Sequence, residues 1–352
     1  MTLKLRRPYA TPVGQFDEVV LDEERSLRLV LTGNCNLACE FCAYKVKDFY
    51  SPEVHSERFV EMEPRYELRK LLKEMRRNLN YDIAHLTGGE PGIAKHLSEI
   101  GELCQDESYS INMCSNLVYT KPIVRLIDRG LISELTFSYV PLDSGEQRSQ
   151  LLVYQRPDEA RIGNTLENIS HLRSRYHELV IKTNIIMSPF SDIENTAGFI
   201  DWCWNNEVKP RVQRDRSSLR ISESTDNTKK LLDALKMEPK KVIIKVPGAT
   251  ESCEFEDPNG REMHVKVFNK NYRPQEVCKL CDESNCVKSL SSIRVYDTTN
   301  EPVLCLCTLR DDNFSNVTVD QFLKSSVFNE IKGYKTDPIS YFDKFCAHPN
   351  FQ

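Results

Sequence analysis

The chain has 352 residues, of which 40% are hydrophobic and 28% are charged, and its formal net charge is −5. These proportions are typical of a folded globular protein and argue against wholesale disorder. Acidic and basic residues are well mixed, so nothing in the sequence demands a nucleic-acid polymer as partner, which usually needs a basic face, and a local basic pocket stays open as an alternative. No apolar run is long enough to span a bilayer, and residues 1–15 do not resemble a secretory signal. We therefore expect a cytoplasmic protein without a membrane partner.

Strand-like and helix-like segments alternate through the first two-thirds of the chain. Apolar runs that end in turn residues predict the strands, and apolar residues at helical spacing predict the helices. The predicted strands are Leu27–Gly33, Ile83–Thr87, Ser110–Cys114, Ser133–Tyr139, Leu179–Met187 and Arg211–Gln213, and the predicted helices are Glu63–Arg77, Leu97–Cys104, Pro122–Arg129, Leu166–Arg175 and Ile193–Trp204. Six consecutive β/α units build a parallel sheet but are too few for a closed eight-stranded barrel. The fold class is therefore α/β, a partial (β/α)6 barrel, with ligands at the C-terminal ends of its strands.

The pattern changes after the sixth unit. Arg216–Lys230 is polar and has no apolar periodicity, which predicts a linker or surface loop. Beyond it the sequence predicts strands at Lys241–Val246 and His264–Phe268, a hairpin of Ser292–Tyr296 with Pro302–Leu306, and a helix over Val319–Lys332. We expect two domains, a partial barrel over residues 20–230 and a small C-terminal α+β module over residues 231–352.

The cysteines are the most informative residues of the composition. There are thirteen, and an odd number without a secretion signal argues against a disulfide framework and favours metal binding. Eight of them form two clusters, Cys35, Cys39 and Cys42 in the first, and Cys278, Cys281, Cys286, Cys305 and Cys307 in the second. The other five, Cys104, Cys114, Cys203, Cys253 and Cys346, are predicted to be core or surface thiols.

The first cysteine cluster follows the first predicted strand with the spacing Cys-x3-Cys-x2-Cys. One loop of this kind can supply three thiolates to a [4Fe–4S] cluster and leave one iron open to a small molecule. A zinc site with a distant fourth ligand and a chance grouping of cysteines are the alternatives that the spacing leaves open.

A second motif, Gly88-Gly89-Glu90-Pro91, follows the second predicted strand. Two glycines let the backbone approach a ligand closely, and the carboxylate of Glu90 is a suitable acceptor for an ammonium group. Taken alone, the motif is more simply a tight turn with a surface glutamate. Its position beside the cysteine loop favours a ligand site.

The two motifs together resemble the signature of the radical S-adenosylmethionine (SAM) superfamily. Cys35, Cys39 and Cys42, with Phe41 before the third cysteine, match its cluster loop, and Gly88–Pro91 matches the turn that binds the amino group of SAM. The resemblance implies a [4Fe–4S] cluster whose open iron chelates SAM. It also implies that an electron, from a flavodoxin- or ferredoxin-type donor, cleaves SAM to a 5′-deoxyadenosyl radical that abstracts a hydrogen atom from the substrate.

Polar residues on the later strands add weaker matches to the same family. Small side chains at strand ends can hydrogen-bond a ribose or a carboxylate, and basic ones can pair with a carboxylate. The candidates for SAM are Ser115, Asn116, Ser138, Asn184 and Arg211, and Lys182 is a candidate for the substrate. Each position also fits a fold that binds another ligand. His85, beside the glycine turn, is predicted to be a packed strand residue rather than a catalyst.

The second cysteine cluster is too dense for packing alone and predicts a second Fe–S cluster, with structural zinc as the alternative. Its surroundings resemble the C-terminal region of the GTP 3′,8-cyclase branch of the superfamily, where a Cys-x2-Cys pair and a later cysteine hold a second [4Fe–4S] cluster. The resemblance implies that Cys278, Cys281 and Cys305 are the ligands and that Arg294 anchors the substrate.

The chain departs from the cyclase pattern in several places. The gap between Cys281 and Cys305 is longer, Cys286 and Cys307 are extra candidate ligands, and Arg294 stands where the cyclases have two arginines. The Gly-Gly tail of the cyclases is also missing. We therefore expect a relative of the cyclase, of lyase or oxidoreductase type, acting on another nucleotide or nucleoside with cyclisation or rearrangement. The alternatives are a peptide-crosslinking radical SAM enzyme and a non-catalytic Fe–S or zinc protein.

Overall fold

The computed structural model describes residues 2–36, 60–139, 159–187, 191–214, 221–248, 250–268, 278, 293–307 and 317–346. The strands are β1 Thr2–Leu5, β2 Tyr9–Thr11, β3 Gly14–Phe16, β4 Val19–Glu23, β5 Ser26–Val30, β6 Ile83–Thr87, β7 Ser110–Cys114, β8 Ile132–Tyr139, β9 Val180–Met187, β10 Lys209–Arg214, β11 Glu238–Val246, β12 Thr250–Glu256, β13 Glu262–Phe268, β14 Arg294–Tyr296 and β15 Val303–Cys305. The helices are α1 Tyr66–Leu79, α2 Leu97–Asp106, α3 Thr120–Asp128, α4 Glu159–Arg175, α5 Ile193–Asn205, α6 Ile221–Ala234, α7 Val319–Leu323, α8 Ser326–Thr336 and α9 Pro338–Phe345. No helix in these ranges is long and apolar enough to cross a membrane.

The centre of the fold is a run of parallel strands in the order β14-β5-β6-β7-β8-β9-β10-β13. Strands β5 to β10 are the six predicted strands, and helices α1 to α5 connect them in turn. The predicted α/β fold with a partial (β/α)6 barrel is therefore confirmed. It is extended by β13 and β14, two parallel strands from the C-terminal third of the chain.

Further strands continue the sheet on both sides of the parallel run, and their pairs are antiparallel except for β11 with β4, which is parallel. Strands β12, β11, β4 and β1 follow β13 at one edge, and β15 pairs with β14 at the other. One sheet therefore runs through both predicted domains, and the boundary at residue 230 stays a prediction.

Side chains alternate between the two faces of the central strands, as the pleat requires. One face is apolar, and its registered row of Leu29, Leu86, Met113, Leu135 and Ile181 is buried. This row belongs to the same hydrophobic core as the buried side chains of α1, α2 and α3. The opposite face carries mostly polar side chains. Helices cover the first face, so the second is the one available to a ligand.

The linker predicted over Arg216–Lys230 is wrong from Ile221 onward, where α6 begins. The buried face of this helix starts with the small polar residues Ser224 and Thr228, and the hydroxyl of Thr228 donates to the carbonyl of Ser224 over 2.7 Å. Buried serine and threonine leave no apolar periodicity in the sequence, although the helix packs like any other.

The single helix predicted over Val319–Lys332 is two helices, α7 and α8. Ser325 separates them, because its hydroxyl accepts a hydrogen bond from the backbone N–H of Phe328 over 3.1 Å and caps the second helix. Thr318 and Gln321 form a capping box at the start of α7. Two N-cap residues within ten positions indicate two helix starts, whereas the apolar spacing alone predicted one continuous helix.

A buried lysine joins the C-terminal helices to the first strands. Lys335 on α8 donates from Nζ to Glu23 Oε1 over 3.1 Å, to the carbonyl of Glu24 over 2.5 Å and to the carbonyl of Leu79 over 2.6 Å. Burial lowers the pKa of Lys335, and the carboxylate of Glu23 opposes that shift. The ammonium group satisfies three acceptors from two separate segments, the end of β4 and the end of α1.

We expect Lys335→Met to lower the free energy of unfolding by about 2–4 kcal/mol, because it leaves a carboxylate and two carbonyls without their donor. Lys332→Met on the exposed side of the same helix is the matched control, with an expected change below about 0.5 kcal/mol. Urea unfolding curves of the two variants measure the difference. Equal losses would contradict the role of Lys335.

Candidate functional site

The turn after β6 lies directly against the segment that leads from β5 into the first cysteine cluster. The N–H of Gly89 donates to the carbonyl of Thr32 over 2.7 Å, and the N–H of Glu90 donates to the carbonyl of Asn34 over 2.8 Å. A Cβ atom at Gly88 would lie 2.5 Å from the oxygen of Thr32, and one at Gly89 would lie 1.9 Å from the oxygen of Asn34. Gly88 also has φ +142°, which favours glycine. The two glycines are needed because the segments touch through their backbones.

The carboxylate of Glu90 joins this turn to the next one. It is 1% exposed, and Oε1 accepts from the N–H of Gly92 over 2.8 Å and from the hydroxyl of Ser115 over 2.7 Å. Its Oε2 accepts from the N–H of Asn116 over 2.7 Å. Burial raises the pKa of Glu90, and these hydrogen bonds from Asn116, Ser115 and Gly92 oppose the rise. We call these four residues the Glu90 junction.

The Glu90 junction extends to the cysteine loop through Asn116. The side-chain amide of Asn116 donates to Asn36 Oδ1 over 2.7 Å, and the thiol of Cys35 lies 3.9 Å from the same oxygen. The turns after β6 and β7 and the loop after β5 therefore meet at one place. This is the C-terminal end of three neighbouring parallel strands, where the sequence predicts ligands.

The described residues fit a bound cluster and SAM, although they contain only part of the ligand set. Four of the eight candidate ligands, Cys39, Cys42, Cys281 and Cys286, lie outside them, as does Phe41. Within the described ranges no three metal-ligating side chains come together. The feature that can be tested is the close backbone contact at Gly88 and Gly89, where a Cβ atom would collide with the segment that leads to Cys35.

The structure brings most of the candidate SAM residues to the same end of the sheet. Ser115 and Asn116 belong to the Glu90 junction, so their described bonds organise the turns. Three of the roughly four acceptor positions of the Glu90 carboxylate are likewise filled by the protein. Pro91 is buried and begins the short 3-10 helix Pro91–Ile93. The motif holds the loops in place as well as offering groups to a ligand.

Ser138, Asn184 and Arg211 form one row across β8, β9 and β10. The Nε of Arg211 donates to the side-chain oxygen of Asn184 over 2.7 Å. Lys182, also on β9, donates to Glu134 Oε2 over 2.5 Å. All of these side chains stand on the polar face of the central strands.

The polar face of the central strands also carries residues that the sequence analysis did not assign to a site. Strand register places them on the same face as Ser138, Asn184 and Arg211. They are Arg28, His85, Asn112, Glu134, Thr136, His264 and Lys266. The available signal was a polar or charged residue inside short apolar parallel strands, which are usually apolar throughout. His85, predicted to be a packed strand residue, lies on this face between Arg28 and Asn112.

Two histidines of the polar face have lowered pKa values, and neighbouring cations contribute to both shifts. Burial lowers the pKa of His85 well below its usual value, and Arg28, Arg211, Lys266 and Lys182 lower it further. Burial also lowers the pKa of His264 to about 4, with Lys182 and Arg211 acting in the same direction. Both imidazoles are therefore neutral at pH 7.

The C-terminal hairpin brings Cys305 of the second cysteine cluster to the edge of the same face. Arg294 on β14 pairs in register with Cys305 on β15 and with Arg28 on β5. Cys305 and Cys307 are both buried, and the thiol of Cys305 lies 3.4 Å from the carbonyl of Cys307. Cys278 is half-buried. Arg294 thus stands between a candidate cluster ligand and the polar face.

Comparison with known proteins agrees with this geometry. The Radical SAM superfamily matches residues 29–203. The GTP 3′,8-cyclase of Haemophilus ducreyi is 24% identical over 260 residues, which cover 70% of this chain and 71% of that protein.

Two solved structures resemble the chain in fold. Streptococcus suis SuiB bound to its precursor peptide SuiA has a TM-score of 0.52 at 13% identity and covers 88% of this chain and 67% of its own. The structure of anSMEcpe with bound AdoMet has a TM-score of 0.50 at 12% identity and covers 91% of this chain and 87% of its own. The chain spans 49% of SuiB in its S-adenosylmethionine-bound structure. At these identities the likeness is one of fold alone.

We expect Gly89→Ala to weaken SAM binding at least about tenfold and to lower iron incorporation, because the new methyl group collides with the backbone of the cysteine loop. Gly333→Ala is the control, since a Cβ atom there meets nothing within 4 Å and helix α8 gains an alanine. Equilibrium dialysis with labelled SAM and iron analysis after anaerobic reconstitution measure both effects. Unchanged binding in Gly89→Ala would contradict the close contact.

Proposed function

The chain belongs to the radical SAM superfamily, and on that premise we propose that it abstracts a hydrogen atom from a small molecule, a nucleotide or nucleoside, leading to cyclisation or rearrangement. When bound at Cys35, Cys39 and Cys42, a [4Fe–4S] cluster supplies the electron that splits SAM into methionine and a 5′-deoxyadenosyl radical. The Glu90 junction is the observation that supports this most directly, because it holds the glycine turn against the loop of Cys35.

The protein's own part in the reaction is to bind and orient. Gly88 and Gly89 let the turn after β6 lie directly against the backbone that leads to Cys35, where a Cβ atom would collide. Arg211 is oriented through Nε by Asn184, and its terminal nitrogens are the groups that pair with a carboxylate. The Glu90 junction stabilises both turns, so the site is organised before the cofactor arrives.

The proposed substrate class is supported by the similarity to the cyclase and by the position of Arg294. The cyclase of Haemophilus ducreyi acts, by its name, on GTP, and its similarity extends over 70% of this chain. Arg294 lies in register between Cys305 and Arg28, which suits a residue that anchors a substrate between an auxiliary [4Fe–4S] cluster and the polar face. We further propose a flavodoxin- or ferredoxin-type electron donor and a cytoplasmic location, since the clusters need a reducing environment. The reaction is of lyase or oxidoreductase type.

Anaerobically reconstituted protein should release 5′-deoxyadenosine and methionine from SAM when dithionite supplies electrons, and Cys39→Ala should release none. Liquid chromatography with mass spectrometry measures both products. Nucleoside triphosphates should increase the rate if one of them is the substrate, whereas stimulation by peptides alone would favour the peptide-modifying alternative. Absence of 5′-deoxyadenosine under all conditions would leave a non-catalytic Fe–S or zinc protein.

Iron analysis tests the second cluster separately. The wild type should hold about eight irons, and Cys305→Ala should hold about four, because one of two [4Fe–4S] clusters is lost. Cys104→Ala is the control, since Cys104 is a buried core thiol of α2 and its removal should leave the iron content unchanged. About four irons in the wild type, with one bound zinc, would replace the second cluster by a zinc site.

A further inference from the structure

We infer that the thiol of Cys114 gives its hydrogen atom to a carbon radical formed inside the partial barrel. The inference deepens the proposed function and rests on it, because it names the residue that ends the radical reaction. Cys114 belongs to neither cysteine cluster. A substrate that loses one hydrogen atom to the 5′-deoxyadenosyl radical and receives another from Cys114 is rearranged without net oxidation.

Cys114 differs in position from the other four cysteines that lie outside the two clusters. Those four, Cys104, Cys203, Cys253 and Cys346, are all buried members of the hydrophobic core. Cys114 is half-buried and ends strand β7. Packing in the core therefore accounts for four of the five thiols, and the fifth calls for another explanation.

Strand register places Cys114 on the polar face of the central strands. It pairs with Thr136 on β8, and Asn112, two residues earlier on β7, belongs to the same face. Residues two apart on a strand point to the same side of a sheet. The residue after Cys114 is Ser115, which donates to the carboxylate of the Glu90 junction. The thiol therefore lies at the C-terminal end of its strand, beside the site proposed for SAM.

The charges that act on the thiol place it in the interior of the barrel. Burial raises the pKa of Cys114, while Arg28, Arg211 and Lys266 lower it and Glu90 raises it further. Lys266 stands on β13, four strands from β7, and a flat sheet would separate these strands by about 19 Å. Because electrostatic effects weaken with distance, the sheet curves around the thiol. The net shift is upward, so at pH 7 the sulfur keeps its hydrogen.

A buried hydroxyl beside the thiol supplies independent evidence for a ligand. Thr136 is 1% exposed, and its Oγ1 makes no hydrogen bond within the described residues. It lies directly opposite Cys114 in the strand register, on the same face. A buried hydroxyl without a partner is costly and calls for an explanation. A polar group of a bound substrate would provide the partner, and it would bring the substrate to the thiol.

The proposed step transfers one hydrogen atom. The S–H bond of Cys114 breaks, a C–H bond forms at the carbon radical, and the unpaired electron is left on sulfur. An S–H bond is weaker than the C–H bonds of a ribose, so the transfer is favourable. One electron from the flavodoxin- or ferredoxin-type donor, or from dithionite in the test tube, and one proton from water then restore the thiol.

Turnover of SAM in heavy water tests this transfer before the substrate is identified. The reconstituted holoprotein receives SAM and dithionite in D₂O, where thiols exchange S–H for S–D, and no substrate is added. The carbon radical is then the 5′-deoxyadenosyl radical itself, which should take deuterium from Cys114. Mass spectrometry should find one deuterium in most of the 5′-deoxyadenosine that the wild type releases.

Variants identify the source of the deuterium. In Cys114→Ala the radical takes hydrogen from C–H bonds, which do not exchange with water, so the deuterated fraction should fall at least about fivefold. Cys114→Ser should show the same loss at similar size and polarity, because an O–H bond is too strong to give its hydrogen atom to carbon. Cys104→Ala is the control, since Cys104 is buried in the core, and it should keep the wild-type deuterated fraction.

Alkylation measures the position of the thiol without turnover. Oxidised holoprotein is treated with iodoacetamide, and peptide mass spectrometry follows each cysteine. Bound SAM should slow the alkylation of Cys114 at least about fivefold, because it closes access to the interior of the barrel. The alkylation of Cys104 should not depend on SAM.

Several results would overturn the donor role of Cys114. They are release of 5′-deoxyadenosine without deuterium, equal deuteration in the wild type and both Cys114 variants, and alkylation of Cys114 that SAM does not change. Loss of iron and of the thermal midpoint in both variants would give the thiol a structural role instead. Absence of any 5′-deoxyadenosine from the wild type would overturn the proposed function, and the donor role with it, so the two failures are distinguishable.

Discussion

The carboxylate of Glu90 is the constraint on which the site depends. It is buried at the place where three parallel strands end, and it accepts hydrogen bonds from a backbone N–H in its own turn and from a hydroxyl and a backbone N–H in the next turn. A buried carboxylate is costly unless it is well bonded, so the two turns cannot separate without exposing an unsatisfied charge. The side chain of Asn116 also donates a hydrogen bond to Asn36, which joins the cysteine loop to the same two turns.

The backbone contact at the glycine turn works in the same direction. Gly89 and Glu90 donate to the carbonyls of Thr32 and Asn34, which fixes how the cysteine loop leaves β5. The loop of Cys35 is therefore positioned by neighbouring strands rather than by its own sequence. The first residues of the loop, as far as Asn36, are thereby held against the turns after β6 and β7.

The two faces of the sheet differ in role, since one packs against the helices and the other is polar. The apolar row from Leu29 to Ile181 packs against helices, while the other face carries cations and two neutral imidazoles. Parallel strands are usually apolar on both faces, so a polar face marks the interior of the partial barrel as a ligand site. The C-terminal strands add Lys266 at one edge of this face and Arg294 at the other.

Local sequence was sufficient for the parts of the site that are close together in the chain. The cysteine spacing, the Gly88–Pro91 turn and the six barrel strands all follow from short motifs and periodicity, and the fold they predict is confirmed. Helix α6 was missed because Ser224 and Thr228 bury a polar face. The positions of Arg28 and His85 were missed although a polar residue inside a short apolar strand was the available signal. Lys266 was missed because its position depends on β13 lying beside β10, and these strands are far apart in the sequence.

We propose that the Glu90 junction holds the glycine turn where SAM binds to the cluster of the first cysteine loop. Pulsed electron–nuclear double resonance of the reduced protein measures this, with SAM labelled by nitrogen-15 in its amino group and oxygen-17 in its carboxylate. We predict hyperfine coupling of both labels to the cluster, which requires chelation of the open iron. A cluster spectrum that shows no coupling to either label, with SAM bound, would contradict the account.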